Sequence, residues 1–323
     1  MKYLLLILFF LPLPLLAITE SSTGPSITAS VKPDKPSPNQ VVTVSLNSYQ
    51  LDLDRSRITW FVNGERRESA VGLKTFTVTT GPLGTPTIIK VTAVSGTQVA
   101  QKVIDLKPGQ VDLLWEADTY TPPNYQGKAL PTPESWVTIW ARPYLTTSSG
   151  SIIPPTNLVY KWYQNGNLLS NQSGANKETL RTQLGDTFDR NEIKVLVSAS
   201  DGTEALGRVD FKITTPKIIF YPLTEEGNID YSRALPDQIT FTTNTPKIAA
   251  APFYLSRQDG EIMINWNIDG KEVGKGNVVE LAGRGSEEEI SVVATAENPS
   301  SVFQKALKSI KVILKPEYDI FPF

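Results

Sequence analysis

The chain has 323 residues, with 31 basic and 33 acidic side chains and a formal charge of −2. No basic field is present to attract nucleic acid, and no run of like charge marks a tail. It contains neither cysteine nor histidine, which excludes disulfides, thiolate metal sites, cysteine nucleophiles and lipobox anchors, along with the commonest general base and transition-metal ligand.

Taken in chain order, the first residues read as an address. Met1-Lys2 is a short basic start, Tyr3 to Leu16 is apolar, and Ala17 precedes the polar stretch "ITESSTGPS". This is the layout of a secretory signal peptide, expected to be residues 1–17, with cleavage after Ala17 and an uncleaved N-terminal anchor as the alternative. As a helix the apolar run covers roughly 22 Å, short of a hydrocarbon core of about 30 Å, and Pro12 and Pro14 weaken it further. The protein is expected to be exported, to the periplasm, the cell surface or beyond, touching a membrane only through this segment if it is kept.

From residue 25 onward the pattern is β. "ITWFVNGERR" at Ile58 returns as "VYKWYQNGNLL" at Val159 and as "INWNIDGKEV" at Ile264. The tryptophans Trp60, Trp162 and Trp266 lie 102 and 104 residues apart, each followed by two residues and then Asn63-Gly64, Asn165-Gly166 or Asp269-Gly270. Asn-Gly and Asp-Gly tolerate the positive φ of tight hairpins, so each phrase is a strand, a turn and a departing strand. Some 25 to 35 residues later each copy carries an alternating strand, a polar turn and another strand. Ile193, Val195, Val197 and Ala199 form one face there, as do Ile290, Val292, Ala294 and Ala296; Lys194, Leu196 and Ser198 form the other. Period-2 alternation predicts antiparallel sheets with one face buried, and no helical periodicity competes.

Each copy ends on a proline, at Pro108, Pro216 and Pro316, and the first two lead into "VDLLW" and "KIIF". Domains are therefore expected at 25–107, 108–215 and 216–315, with a tail at 316–323. Linkers of a few proline-stiffened residues predict an extended array of limited flexibility.

Strand-Trp-x-x-Asn-Gly followed by a late hairpin resembles the immunoglobulin-like and PKD-like β-sandwich repeats of bacterial secreted and surface proteins. The resemblance covers nearly all of residues 25 to 315. It implies an all-β chain of three tandem antiparallel sandwiches, with Trp60, Trp162 and Trp266 as core residues on the third strand. The Gly-Asp-Gly phrase of PKD domains is absent, so the broader immunoglobulin-like label is preferred. Without a disulfide, tryptophan and aliphatic packing must hold each sandwich.

Units two and three are longer before their tryptophan. They share "YQGKALP" from Tyr125 and "YSRALP" from Tyr231, each with a tyrosine upstream, Tyr120 and Tyr221. The insertion is expected to lie along a sandwich edge. Aligned on Ala-Leu-Pro, Val137 and Ile139 match Ile239 and Phe241 and should face the core. Trp136 and Trp140 then face outward, where unit three has Gln238 and Thr242. With Tyr120, Tyr125 and Tyr144 they are the candidate contact residues for a protein or glycan partner at the cell surface; cover by the loop or by a neighbouring domain is the structural alternative.

The remaining motifs are weak. Asp52 and Asp54, and Glu287 to Glu289, are too few and too close to basic residues to suggest calcium, and read as solvated turns. Asn171-Gln172-Ser173 fits a glycosylation sequon. No catalytic Ser-His-Asp, Cys-His or Ser-x-x-Lys arrangement and no phosphate-cradling glycine loop can be assembled, so no enzyme, cofactor, metal or nucleic-acid partner is expected. The implied function is a non-catalytic structural, adhesion or assembly protein of the bacterial envelope. The alternatives are carbohydrate binding through Trp136 and Trp140, for glycan or peptidoglycan, and an accessory subunit of a pilus or secretion machine using the tail as an added strand.

Overall fold

The computed structural model describes residues 24–315 apart from Asn124, Ser148, Asn244, Asp259, 284–285 and Val302. The expected signal peptide and the tail 316–323 lie outside the described residues. The described residues group into two compact units. One holds the residues up to Asp34 with Val41–Val78 and Thr87–Leu106; the other holds Lys107 onward with Lys35–Gln40 and Thr79–Pro86.

The first unit is one sandwich built from β1 (Thr28–Lys32), β2 (Val41–Asn47), β3 (Arg57–Val62), β4 (Glu65–Val71), β5 (Thr75–Thr79), β6 (Thr87–Ser95) and β7 (Gln98–Leu106). Sheet β1-β2-β5 faces sheet β4-β3-β6-β7. Alternation decides which side chains go in: Val42, Val44 and Leu46 of β2 are buried while Thr43 and Ser45 are not. Trp60 is fully buried, stacked on Phe76 at 5.1 Å.

The second unit holds two more sandwiches. One has β8 (Gln110–Ala117), β9 (Trp136–Tyr144), β10 (Leu158–Gln164), the short β11 (Asn167–Leu168) and β12 (Gly174–Ala175), β13 (Thr179–Gln183), β14 (Glu192–Ala199) and β15 (Glu204–Asp210). Its sheets are β13-β9-β8 and β11-β10-β14-β15. The other has β16 (Lys217–Pro222), β17 (Gln238–Phe241), β18 (Lys247–Phe253), β19 (Met263–Ile268), β20 (Lys271–Lys275), β21 (Val278–Glu280), β22 (Glu288–Glu297) and β23 (Lys305–Leu314). Its sheets are β16-β18-β21 and β17-β23-β22-β19-β20. Each sandwich has its own cluster of buried hydrophobic residues, and Trp162 and Trp266 sit inside theirs.

The recurring phrase has one geometry in all three sandwiches. Asn63, Asn165 and Asp269 take φ of 51°, 53° and 47°, and the glycines after them 86°, 87° and 83°. This left-handed pair makes a tight turn whose twist matches the strands. The buried indole N–H groups of Trp60, Trp162 and Trp266 donate to the carbonyls of Leu73, Lys177 and Gly276 at 3.0, 2.8 and 2.8 Å. Each tryptophan thereby ties the third strand to the segment that leads into the opposite sheet.

The Ala-Leu-Pro alignment does not survive. The strand matching β9 is β18, not β17: β9 pairs with β8 as β18 pairs with β16, both antiparallel. Ile139 and Ile248 are both fully buried, and "IWARPYL" of one strand stands where "IAAAPFYL" of the other does, with Tyr254 (φ 66°) as an extra bulged residue. β17 is an insertion that adds in parallel to the edge of β23, so Gln238 and Thr242 are not the counterparts of Trp136 and Trp140. The counterpart of Trp140 is Ala249, and the reason is spatial. In the third sandwich the outer face of β18 is covered by Leu223, Ile229 and Tyr231 of the inserted segment, which leaves room only for alanines beneath.

The corresponding insertion of the second sandwich does not cover its own face; it crosses to the third. Thr119 bridges to Ser256, Tyr120 N–H donates to Leu255 O at 2.7 Å, and Tyr254 N–H donates to Tyr120 O at 2.6 Å. A buried polar knot closes the joint. Thr132 Oγ1 donates to Tyr254 O at 2.9 Å, Ser256 N–H donates to Gln304 Oε1 at 2.7 Å, and the Gln304 amide donates to Pro133 O and to Thr132 Oγ1. Asn298 Nδ2 donates to the carbonyls of Ser256 and Gln258. Buried polar groups this fully paired fix one arrangement, because any shift leaves several of them unpaired at once. The second and third sandwiches are thus joined by the crossing segment, and not by the proline at 216 alone.

Candidate ligand-contact face

The site is built on β9. Val137, Ile139 and Ala141 point inward and are fully buried, so Trp136, Thr138, Trp140, Arg142 and Tyr144 point outward from the sheet. Register places Leu114 and Thr179 on either side of Trp140, and Glu116 and Arg181 on either side of Thr138. Both tryptophans are half-buried, and their backbones stand about 13 Å apart along the strand. Leu114 is 55% exposed and Tyr144, four residues beyond Trp140, is 40% exposed.

These two indoles differ from the three in the cores. Among the described residues, the N–H groups of Trp136 and Trp140 donate to no protein atom. The Arg181 guanidinium lies 4.4 Å from the Trp136 ring centroid, a cation-π contact. Arg181 also pairs with Asp118 at 3.4 Å and donates to Gln258 Oε1 at 2.7 Å, which ties the face to the joint. Beside Trp136 a cleft of about 510 Å³ runs between Arg181, Thr182 and the turn carrying Leu168, Asn171 and Gln172.

The structure separates the five candidate contact residues. Trp136, Trp140 and Tyr144 share the outer face of β9, while Tyr120 and Tyr125 lie at the joint. The Tyr125 ring packs edge-on against Phe253 at 5.3 Å, and its hydroxyl is 2.8 Å from that of Tyr254. Burial, helped by the hydrogen bond to Tyr125, pushes the Tyr254 phenol up to about 12. Leu114 and Arg181 were not singled out from sequence. The first could have been found from the alternation in "QVDLLWEA", but the second reaches the face only through strand pairing. Trp115 is occupied: Lys128 sits 3.1 Å over its ring and Phe211 meets it edge-on at 5.0 Å, and burial lowers the Lys128 ammonium pKa.

The acidic clusters are engaged locally. Asp52 Oδ1 accepts the N–H groups of Asp54 and Arg55, Asp54 pairs with Lys74, Glu287 with Lys315 and Glu289 with Lys311. Among the described residues no group of three or more Asp or Glu converges as a metal site would require. Asn171 is exposed in its turn, whereas the Ser173 hydroxyl donates to Leu169 O and accepts the backbone N–H of Trp162. No helix among the described residues is long and apolar enough to cross a membrane.

Two face-to-face sheets with a buried third-strand tryptophan, repeated in tandem, make this an all-β chain of immunoglobulin-like sandwiches. No protein-family model and no curated protein matches it. Among solved structures it is similar to three N-terminal domains of the bacteriophage RB49 highly immunogenic outer capsid protein, at 12% identity and TM-score 0.26, covering 91% of this chain and 99% of that one. It is also similar to fibronectin(III)-like modules of Clostridium thermocellum CbhA, at 15% identity and TM-score 0.23, covering 65% and 98%. Extracellular domains 3–5 of Drosophila OTK match at 14% identity and TM-score 0.21, covering 87% and 93%. At scores of this size none of them bears on what this chain does.

Proposed function

We propose that this is an exported, non-catalytic protein of the bacterial cell envelope, in which three immunoglobulin-like domains at 25–107, 108–215 and 216–315 hold a binding face away from the membrane. The observation that carries the reading is the outer face of β9. Two large aromatic side chains with free N–H donors stand there, whereas the third sandwich has alanine at 249 and a strap above it. Exposed aromatic surface with polar tips is what interfaces use, because one side chain offers both contact area and a hydrogen bond. The test is to replace Trp136 and Trp140 together with alanine and to measure retention of the mature protein on cells of its source. Undiminished retention removes the reading. Small-angle scattering tests the extended array, which a compact particle would rule out.

Carbohydrate is the second reading, favoured by two indoles on one face of a single strand, with Arg181 and Glu116 on the neighbouring strands at the level between them as hydrogen-bonding groups. Loss of retention on immobilised peptidoglycan in the same double variant separates it from a protein partner.

A further inference from the structure

A second concave site lies on the third sandwich and shares no lining residue with the cleft beside Trp136. It has a volume of about 390 Å³. Ala250, Ala251 and Ile264 line it together with Tyr120 and Tyr231, and with Arg257, Glu261 and Asn277. At the pocket Ala251 stands where β9 carries Arg142, so no long side chain of β18 enters the space. Tyr120 is brought in by the crossing segment, so the pocket needs both sandwiches to be complete. Tyr231 is braced edge-on by Tyr221 at 5.2 Å.

The polar groups define what fits. Arg257 is already paired with Asp118 at 3.3 Å, and Glu261 has no hydrogen-bond or ion-pair partner among the described residues. Arg257 shares Asp118 with Arg181, so with the Glu261 carboxylate the two cations face two anions, and the Asn277 amide adds a donor and an acceptor. A purely apolar side chain would use neither Glu261 nor Asn277, both of which are exposed, and an anion would meet the free carboxylate. A ring with an apolar face and hydroxyls at its edge matches both parts, because each hydroxyl donates and accepts. We propose that this pocket binds a neutral pyranose unit, one face against a tyrosine ring and its hydroxyls on Glu261 and Asn277.

The experiment uses the full mature chain on an array of neutral and charged mono- and disaccharide glycosides, followed by titration of the retained neutral glycoside. Four proteins are compared: the unaltered chain, Glu261→Gln, Tyr231→Ala, and the Trp136→Ala/Trp140→Ala double variant. The expected result is retention of a neutral glycoside that weakens about tenfold or more in Glu261→Gln, as loss of a charged hydrogen-bond acceptor requires, and stays unchanged in the double tryptophan variant. Glu261 is exposed, so that variant leaves folding intact even if Tyr231→Ala does not. Retention of no neutral glycoside, or of one indifferent to Glu261→Gln, overturns the pocket. Retention lost only with the two tryptophans overturns it too, while leaving the outer-face reading standing.

Discussion

The side-chain oxygen of Asn165 accepts the backbone N–H of Glu192 at 2.9 Å, while the Asn165 N–H donates to the Glu192 carbonyl, also at 2.9 Å. The turn residue thus grips the neighbouring strand from both ends of its own backbone and side chain. Asn63 does the same to Ile88, and Asp269 to Ser291. This explains why Asn or Asp, and not merely glycine, recurs in the phrase. Replacing Asn165 with alanine removes the bond and strains a residue at φ 53°; a loss of about 1–3 kcal/mol is expected in denaturant unfolding. Asn165→Asp should be close to neutral, as Asp269 already fills the role. An unchanged midpoint for the alanine variant would show the grip to be incidental.

The two kinds of tryptophan should differ sharply in what their loss costs. Trp162→Phe leaves the Lys177 carbonyl without its donor and opens space in a closed core, costing about 2–4 kcal/mol. Trp136→Ala and Trp140→Ala should each change stability by less than about 1 kcal/mol, as surface substitutions do. Equal midpoint shifts at Trp162 and Trp140 would mean that the outer face is a structural layer.

At the joint, Gln304 is fully buried and serves Ser256, Thr132 and Pro133 at once. Gln304→Leu strands those groups, at roughly 1–3 kcal/mol for a buried polar atom left unpaired. The expected outcome in calorimetry is that the second and third sandwiches, melting together in the unaltered chain, separate into two transitions. A single unshifted transition would show that the knot does not couple them.

Alkaline pH should loosen the same joint. The folded-state value of Tyr254 is raised above its ordinary 10.0 to about 12. A raised value means that its stabilising contribution is complete below pH 10 and is lost as pH rises from there through the folded value. Melting temperature should fall over that window, and Tyr254→Phe should flatten the fall. An identical alkaline profile in both proteins would sink the assignment.

Acid should act on the second sandwich through Glu192. Burial pushes this carboxyl up, but hydrogen bonds and charge from Lys194 at 3.0 Å and Arg190 at 2.6 Å outweigh it and hold the carboxyl below its usual value. Arg208 adds a third cation at 2.8 Å. A lowered value means that stability is present above the ordinary carboxylate range and is lost as pH falls through the folded value. Glu192→Gln should therefore be less stable at neutral pH and show a shallower acid dependence, read from melting temperature against pH.

Local chemistry was legible without coordinates. Alternation placed Val137, Ile139, Val195 and Val292 inside, and Asn-Gly and Asp-Gly located the three hairpins, because side-chain period and turn dihedrals depend on a few neighbouring residues. The outward placement of Trp136 and Trp140 followed from the same period. What failed was the matching of β9 to "ITF" of β17. An inserted edge strand obeys the same alternation as the strand it precedes, so periodicity alone cannot tell the two apart.

The clearest division lies in one repeated phrase. Leu130 and Leu235 both stand in "ALP", and the sequence by itself determined that each must leave water. Tertiary structure alone decided where. Leu235 enters the core of its own sandwich, whereas Leu130 crosses to pack with Tyr221, Ala249 and Phe253 of the next one. Hydrophobic burial has a strength but no direction, and the destination is set by which neighbouring surface has room to receive the side chain.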